Sequence, residues 1–87
     1  MRLDKFLKVS RVIKRRTLAK KVCDSGRVAI NGRSAKPSAE VKPGDNLELD
    51  FGTKRVKIEI VDTPNSVRAD QAKDLYRVLE ETKILGN

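Results

Sequence analysis

The spacing of the apolar residues changes from a helical repeat to a strand repeat at Gly26, and this change limits the possible folds more than any other feature. Before Gly26, apolar residues recur three and four positions apart, as on one side of a helix. After it, apolar and polar residues alternate, as in strands with one buried face. A chain of 87 residues has room for one modest core. The pattern therefore predicts an α+β fold in which two N-terminal helices are followed by a small antiparallel sheet with one buried face.

Two short helices are predicted before this change of spacing. The first has Leu3, Phe6 and Leu7 on one side and basic residues on the other. The second runs from about Arg16 to Asp24 and ends before Gly26, because glycine readily accepts the positive φ that often closes a helix. We expect the apolar side of each helix to face the core.

Short strands joined by tight turns are predicted after Gly26. A strand over residues 28–30 ends at Asn31-Gly32, which is a strong signal for a two-residue turn. A hairpin follows, with alternating strands over residues 47–51 and 56–60 joined at Gly52-Thr53. These segments form the predicted antiparallel sheet.

The last part of the chain predicts a linker and a third helix. Residues 63–66 are polar and include a proline, as in a linker. Apolar residues then recur at helical spacing and predict an amphipathic helix that runs to about Leu85 and is closed by Gly86. The residues with this spacing are Ala72, Leu75, Tyr76 and Leu79.

Basic residues are concentrated at the start of the chain. The first 36 residues contain twelve Lys and Arg and two Asp, a net charge of +10, whereas the remaining 51 hold eight bases and ten acids, a net charge of −2. A positive field on one part of a small domain attracts polyanions more strongly than the total charge of +8 suggests. The charge pattern predicts a surface that binds phosphate.

The composition argues against several other classes of protein. The chain has no apolar run of the length of a secretion signal or a membrane span, so we expect a cytoplasmic protein with no membrane partner. One cysteine and no histidine exclude an internal disulfide and remove the usual metal ligand and general base. We therefore expect no enzyme activity, no cofactor and no metal. Cys23 is interpreted as a buried core residue and Asp4 as an acid favoured at a helix N-terminus.

Several spaced motifs resemble the alpha-L RNA-binding domain, also called the S-four type. They are residues 2–7, Arg16 with Ala19 and Val22, and residues 26–32, 36–38 and 41–45. The resemblance covers about residues 1–50 and implies two helices side by side on a small sheet, with a basic surface for folded RNA. Together with the predicted hairpin, linker and last helix, it assigns residues 1–62 to this domain with its hairpin, and residues 63–87 to a linker and C-terminal helix of the same single domain. One departure is Arg15, where many members have a Ser or Thr that caps the second helix.

The chain resembles the heat shock protein fifteen family and, more closely, the family of bacterial ribosome-associated quality control protein P. The features that carry this resemblance are the short stand-alone form, the motif over residues 2–7 and the basic run over residues 14–16. This resemblance implies binding to large ribosomal subunits that still hold peptidyl-tRNA after a stalled ribosome has split. It implies contacts with large-subunit rRNA and the tRNA, and support of C-terminal alanine tailing by a partner quality control factor. We expect the protein to act as a monomer.

The candidate RNA-binding residues are ten bases of the N-terminal segment. The aromatic residues Phe6, Phe51 and Tyr76 all lie in phase with the core, so recognition of RNA shape and phosphate is expected rather than stacking on bases. Arginine binds phosphate through two parallel hydrogen bonds, whereas lysine acts as a point charge. The ten candidates are Arg2, Lys5, Lys8, Arg11, Lys14, Arg15, Arg16, Lys20, Arg33 and Lys36.

Other functions remain open at this point. A basic amphipathic helix also binds anionic membrane surfaces or acidic proteins, although the apolar side of the first helix is needed for the core. An accessory role in catalysis would need a nucleophile and base pair that the sequence does not offer. Within the RNA-binding class, the alternatives are a general large-subunit recycling factor of the heat shock type and an rRNA maturation factor.

Overall fold

A computed structural model describes residues 1–83 of the chain. The elements are α1 (Leu3–Val9), α2 (Arg16–Asp24), β1 (Val28–Ile30), β2 (Arg33–Ser34), β3 (Asn46–Asp50), β4 (Lys54–Ile60), a 3-10 helix (Ala69–Leu75) and β5 (Tyr76–Lys83). The strands form one antiparallel sheet in the order β2-β1-β3-β4-β5. This confirms the predicted α+β fold with two N-terminal helices on an antiparallel sheet.

The core lies between the two helices and one face of the sheet. Leu3, Phe6 and Leu7 of α1 have no exposed surface, as their helical spacing predicts. The sheet register places apolar residues of adjacent strands opposite each other, for example Leu47 and Ile58. Burial of each such side chain stabilises the fold by about 1.5 to 3 kcal/mol. The sheet residues in this cluster include Val28, Leu47, Leu49, Ile58 and Ile60.

Both predicted tight turns are present. Asn31 and Gly32 have φ of 51° and 85° and join β1 to β2, with Ile30 paired to Arg33. Positive φ at both central residues is the geometry that favours Asn-Gly in a hairpin. In the β3–β4 hairpin, Gly52 has φ of 84°, and the backbone N–H of Phe51 donates to the carbonyl oxygen of Lys54 at 2.9 Å.

The predicted C-terminal helix is wrong over the residues that the structure describes. After an irregular segment over residues 61–68, a short 3-10 helix ends at Leu75, and Tyr76–Lys83 forms strand β5. Ala72 and Leu75 are the buried residues of this 3-10 helix and do not belong to a longer α-helix. The end that was predicted near Leu85 and Gly86 lies outside the described residues.

Pairing with β4 explains why this segment is a strand. β4 offers a row of backbone donors and acceptors, and β5 pairs with it from Lys54 to Ile60. Opposite charges face each other across the pair, with Glu59 opposite Arg77 and Lys57 opposite Glu80. The register shifts between Lys57 and Ile58, so Leu79 is an extra residue on β5. Tertiary pairing therefore outweighs the local helical spacing.

The helices of the described part are short. The longest α-helix there, α2, has nine residues. Over residues 1–83, no helix has the length and apolar character needed to cross a bilayer.

Candidate nucleic-acid interface

The ten candidate RNA-binding residues lie mainly on the two helices and the segment between them. Nine of them are exposed, and Lys5 is half-buried. Eight belong to α1, α2 or the residues that flank and connect them. Arg33 on β2 and Lys36 in the following loop make no side-chain hydrogen bond or ion pair with the other eight in the part of the chain described. The helical group is therefore the better-defined surface.

A buried carboxylate brings two of these arginines together. Asp4 is only 2% exposed. Its Oδ1 and Oδ2 accept hydrogen bonds from Nε and Nη2 of Arg2, at 3.2 and 3.3 Å. Nη2 of Arg16 also donates to Oδ1 of Asp4, at 3.4 Å. Arg2 precedes α1 and Arg16 begins α2, so a single group joins the starts of both helices.

The start of α1 is fixed by the loop that follows β2. The backbone N–H groups of Leu3 and Asp4 donate to the carbonyl oxygens of Ala39 and Pro37, at 2.8 and 3.1 Å. These bonds satisfy donors that have no partner within a helix. Arg2 also forms an isolated antiparallel bridge with Glu40. The backbone at Arg2 is therefore fixed by the segment over residues 37–40, which also fixes the point from which the side chain of Arg2 extends to Asp4.

The start of α2 lacks a side-chain cap. Arg15 occupies the N-cap position with extended backbone angles and makes no capping hydrogen bond. This agrees with the loss of a cap expected from Arg15. The position contributes an exposed positive charge instead.

The pKa of Asp4 is set by opposing effects. Burial raises it, but the hydrogen bond and charge of Arg16, the backbone N–H of Lys5 and the charge of Arg2 together hold the pKa below its ordinary value of 3.8. The N–H of Lys5 donates to Oδ1 at 2.8 Å. Asp4 is therefore ionised at neutral pH, and two guanidinium groups share its one negative charge.

Arg11 has an unusual backbone conformation. It follows the C-cap residue Ser10 of α1 with φ of 59°, and its N–H donates to the carbonyl oxygen of Lys8 at 3.1 Å. A left-handed conformation costs a residue with a side chain roughly 1 to 2 kcal/mol, and glycine usually occupies this position after a helix. The chain thus keeps an arginine on the basic surface at some cost in stability.

Most basic residues of this surface have no acidic partner. Eight of the ten candidates form no ion pair with the residues that the structure describes; the exceptions are Arg2 and Arg16. Lys5 instead donates a hydrogen bond to Asn65 at 3.3 Å. On β4, by contrast, Lys54, Arg55 and Lys57 each lie within 4.0 Å of an acid. The positive charge of the helical surface is therefore largely uncompensated, whereas that of β4 is neutralised locally.

The aromatic residues are in the core or against it. Phe6 is fully buried, and Phe51 and Tyr76 are half-buried and pack on the core cluster. An exposed aromatic platform for bases is thus absent from the part of the chain described. This supports recognition through phosphate and shape.

Cys23 is a buried core residue, as expected from the sequence. It is 3% exposed. Burial, with the charges of Asp4 and Asp24 as further causes, raises the pKa of the thiol to about 11. The thiol is protonated and poorly nucleophilic at neutral pH.

The role of Asp4 was missed by the sequence analysis, which interpreted it only as an acid near a helix N-terminus. A signal was present, because Asp4 is one of two acids among the 36 N-terminal residues. Its position two residues after Arg2 also suits a local ion pair. The third partner, Arg16, is close only because α1 and α2 pack together.

Comparisons with known proteins identify relatives of the chain. The sequence model of the S4 domain matches residues 1–47. The chain is 52% identical over 84 residues to the RQC P-site tRNA stabilizing factor of Bacillus subtilis, covering 97% of this chain and 98% of that protein. It is 44% identical over 87 residues to the factor of the same name from Streptococcus pneumoniae, covering 100% of this chain and 99% of that protein.

A solved structure shares the fold. The trimeric structure of Vibrio cholerae Heat Shock Protein 15 superposes with a TM-score of 0.83 at 38% sequence identity, covering 90% of this chain and 80% of that one. The chain therefore belongs to the S4 domain family and, within it, to the family of RQC P-site tRNA stabilizing factors.

Proposed function

We propose that the chain is an RNA-binding factor of ribosome-associated quality control. It binds large-subunit rRNA and peptidyl-tRNA on obstructed large ribosomal subunits, and it supports C-terminal alanine tailing of stalled nascent chains by a partner factor. The observation that carries this proposal is the excess of positive charge on α1, α2 and their connection, where Asp4 pairs with Arg2 and Arg16 and the other candidate bases form no ion pair within residues 1–83. The names of the relatives support a role at P-site tRNA in the same process.

The chemistry of the surface suits structured RNA. Arginine forks bind phosphate with defined geometry, and the exposed lysines add attraction that depends less on orientation. The candidates that contact RNA in this proposal are the ten bases named above. Because the aromatic side chains are held in or against the core, the surface reads backbone and shape.

The mechanism is stabilisation of a bound state. A compact basic surface contacts two phosphate backbones at once, so the protein acts as a clamp between tRNA and large-subunit RNA. The occupancy of the tailing-competent complex rises without any bond being made or broken. We propose that the protein acts in the cytoplasm as a monomer, without enzyme activity or cofactor.

A pair of arginine substitutions tests the assigned surface. Loss of one charge-assisted contact costs roughly 1.5 to 3 kcal/mol, or about ten- to hundredfold in affinity. We expect Arg16→Ala to weaken binding to purified large subunits by this factor. Arg68→Ala is the matched control, because Arg68 is an exposed arginine outside the ten candidates. Equal effects of the two substitutions, with unchanged thermal unfolding, would contradict the assignment.

The role in quality control is tested in the host cell. The gene is deleted, translation is stalled, and nascent chains on split large subunits are examined for alanine tails. We expect fewer and shorter tails, restored by the intact protein but not by the Arg16→Ala variant. Tails of normal length and frequency would reject the quality control function.

A general recycling factor is the second candidate. The structural similarity to Heat Shock Protein 15 favours it. In that case the deletion strain would form normal tails but accumulate large subunits that retain peptidyl-tRNA. An rRNA maturation factor would instead leave precursor rRNA in the subunits.

A further inference from the structure

We infer that Asp4 is a positioning residue for RNA binding, which holds the guanidinium groups of Arg2 and Arg16 in the orientation that receives phosphate. The inference rests on the proposed function and adds to it a residue that contacts no RNA itself. Asp4 is 2% exposed, so a polyanion cannot reach its carboxylate directly. Its effect must pass through the two arginines.

The hydrogen bonds leave part of each guanidinium available. Arg2 uses Nε and Nη2 on Asp4, and Arg16 uses Nη2 alone. Within residues 1–83, Nη1 of Arg2 and both Nε and Nη1 of Arg16 have no acceptor. The two side chains are 47% and 48% exposed. Each arginine is thus anchored on one side and open to solvent on the other.

A negative charge on a phosphate-binding surface needs an explanation. If attraction alone determined binding, a neutral residue at this position would serve better, since Asp4 cancels one of the positive charges around it. Arginine side chains are long and have many rotamers, and each one fixed on binding lowers affinity. A buried carboxylate fixes two of them before the RNA binds. The conformational entropy of these two side chains is therefore lost on folding and does not lower the affinity for RNA.

The position of Asp4 makes this anchor rigid. The backbone of α1 fixes the carboxylate, and the N–H of Lys5 donates to it at 2.8 Å. Because Arg2 immediately precedes α1 and Arg16 is the first residue of α2, the anchor also sets the spacing between the arginines at the two helix starts. The two guanidinium groups therefore have a defined separation relative to each other and to the fold.

The first experiment uses Asp4→Asn and its matched control Asp24→Asn. Both substitutions raise the net charge by one, and Asp24 is an exposed acid on α2 that forms no ion pair among residues 1–83. The full-length variants are measured for affinity to purified large ribosomal subunits carrying peptidyl-tRNA, at one salt concentration. We expect Asp4→Asn to weaken binding about tenfold despite its added positive charge, and Asp24→Asn to leave binding equal or tighter. Equal or tighter binding by a folded Asp4→Asn variant would overturn the inference.

A second variant separates positioning from folding. Arg2→Lys keeps the charge and leaves Asp4 in place, but a lysine cannot make the two-point contact with the carboxylate. We expect it to weaken binding severalfold with unchanged thermal unfolding, and unaltered binding would overturn the inference. If Asp4→Asn does not fold, the side chain of Arg2 in the wild-type protein decides the question, because an Nε–Hε chemical shift equal to that of a solvated arginine would overturn the inference. The Nε–Hε resonance of Arg2 supplies a direct signal, which should be shifted in the wild type and return to the value of a solvated arginine in Asp4→Asn.

The double variant Arg2→Ala/Arg16→Ala distinguishes this inference from the proposed function. Adding Asp4→Asn to it should cause no further loss, because the arginines that Asp4 positions are gone. A further loss equal to that in the wild-type background would show that Asp4 acts by another route and overturn the inference. If the double variant alone bound large subunits as tightly as the wild type, the proposed RNA surface would be wrong, whatever Asp4 does.

Discussion

The side-chain amide of Asn31 donates a hydrogen bond to the buried carboxylate of Asp45, with 3.1 Å between Nδ2 and Oδ1. Oδ1 of Asn31 also accepts from the backbone N–H of Asn46, at 2.9 Å. These bonds join the β1–β2 turn to the loop that enters β3. Because Asn31 has φ of 51°, it provides both the turn geometry and this connection.

We predict that Asn31→Ala destabilises the fold more than Asn31→Gly does. Both substitutions remove the side-chain hydrogen bonds, each worth about 1 kcal/mol, but only alanine adds the roughly 1 to 2 kcal/mol of a left-handed conformation. Urea unfolding of the two variants measures the difference. Because Asn31 is not one of the ten candidate RNA-binding residues, the affinity of either folded variant for large subunits should not change. Equal free energies of unfolding would show that the strain of alanine at residue 31 does not exceed the entropy that glycine adds to the unfolded chain.

Local patterns predicted the helices and turns, because these depend on residues close in sequence. The bounds of α2 and the turn at Asn31-Gly32 follow from such signals. Strand β5 could not be predicted in this way, since its stability comes from pairing with β4, including cross-strand contacts such as Lys54 Nζ with Glu81 Oε1 at 2.8 Å. The helical spacing of apolar residues around Leu75 corresponds in the structure to a 3-10 helix that ends at this residue, and not to an α-helix.

The candidate surface shows the same division. Exposed bases on α1 and α2 were predictable from charge and periodicity, and nine of the ten are indeed exposed. The cluster of Arg2, Asp4 and Arg16 was not, because it forms only when two helices pack with a particular separation. Whether each of the ten contacts RNA stays a prediction.

Because Arg11 has a left-handed backbone conformation, a substitution at this residue should affect the stability of the fold and the binding of large subunits in different ways. We predict that Arg11→Gly leaves the free energy of unfolding unchanged or raises it by up to about 1 kcal/mol, because relief of strain is partly offset by the entropy of glycine in the unfolded chain. Binding to large subunits should weaken, since a basic group of the surface is lost. Thermal unfolding and a binding titration give the two values.

Arg11→Ala is the control for this substitution. It removes the same charge but keeps the backbone strain, so it should weaken binding equally and be less stable than Arg11→Gly by about 1 kcal/mol. The interpretation fails if alanine and glycine give proteins of the same stability.

We predict that binding to large subunits weakens steeply with salt. Neutralisation of four to eight phosphates would give a slope of about −3 to −7 in a plot of log affinity against log salt concentration, because each contact releases condensed counterions. Titrations over a range of KCl concentrations measure this slope. A slope near zero would mean that the basic surface does not meet the RNA.

We predict that Cys23 reduces stability at alkaline pH. Its pKa of about 11 in the folded state exceeds the ordinary value of 9.0, so the unfolded chain loses this proton first. The contribution of the protonated Cys23 thiol to the free energy of unfolding is therefore complete below pH 9 and is lost as pH rises toward 11. Urea unfolding at pH 8 and pH 10 measures the loss, which Cys23→Ala should reduce. Iodoacetamide should label the folded wild type much more slowly than the unfolded chain, and equal labelling rates would contradict the burial of the thiol.

The extra residue Leu79 on β5 has a consequence for behaviour at high concentration. Within the described residues, the sheet ends at β2, which has two residues, and at β5, which has eight. A long, flat edge strand invites another chain to add to the sheet and begin aggregation. The bulge at Leu79 bends this edge strand. The charged side chains of Glu80 and Glu81 beside it would lose their hydration if another strand paired here, which disfavours such pairing. The protein therefore carries protection against edge-to-edge aggregation at the longer of its two sheet edges, where Val78 and Leu79 are about half exposed.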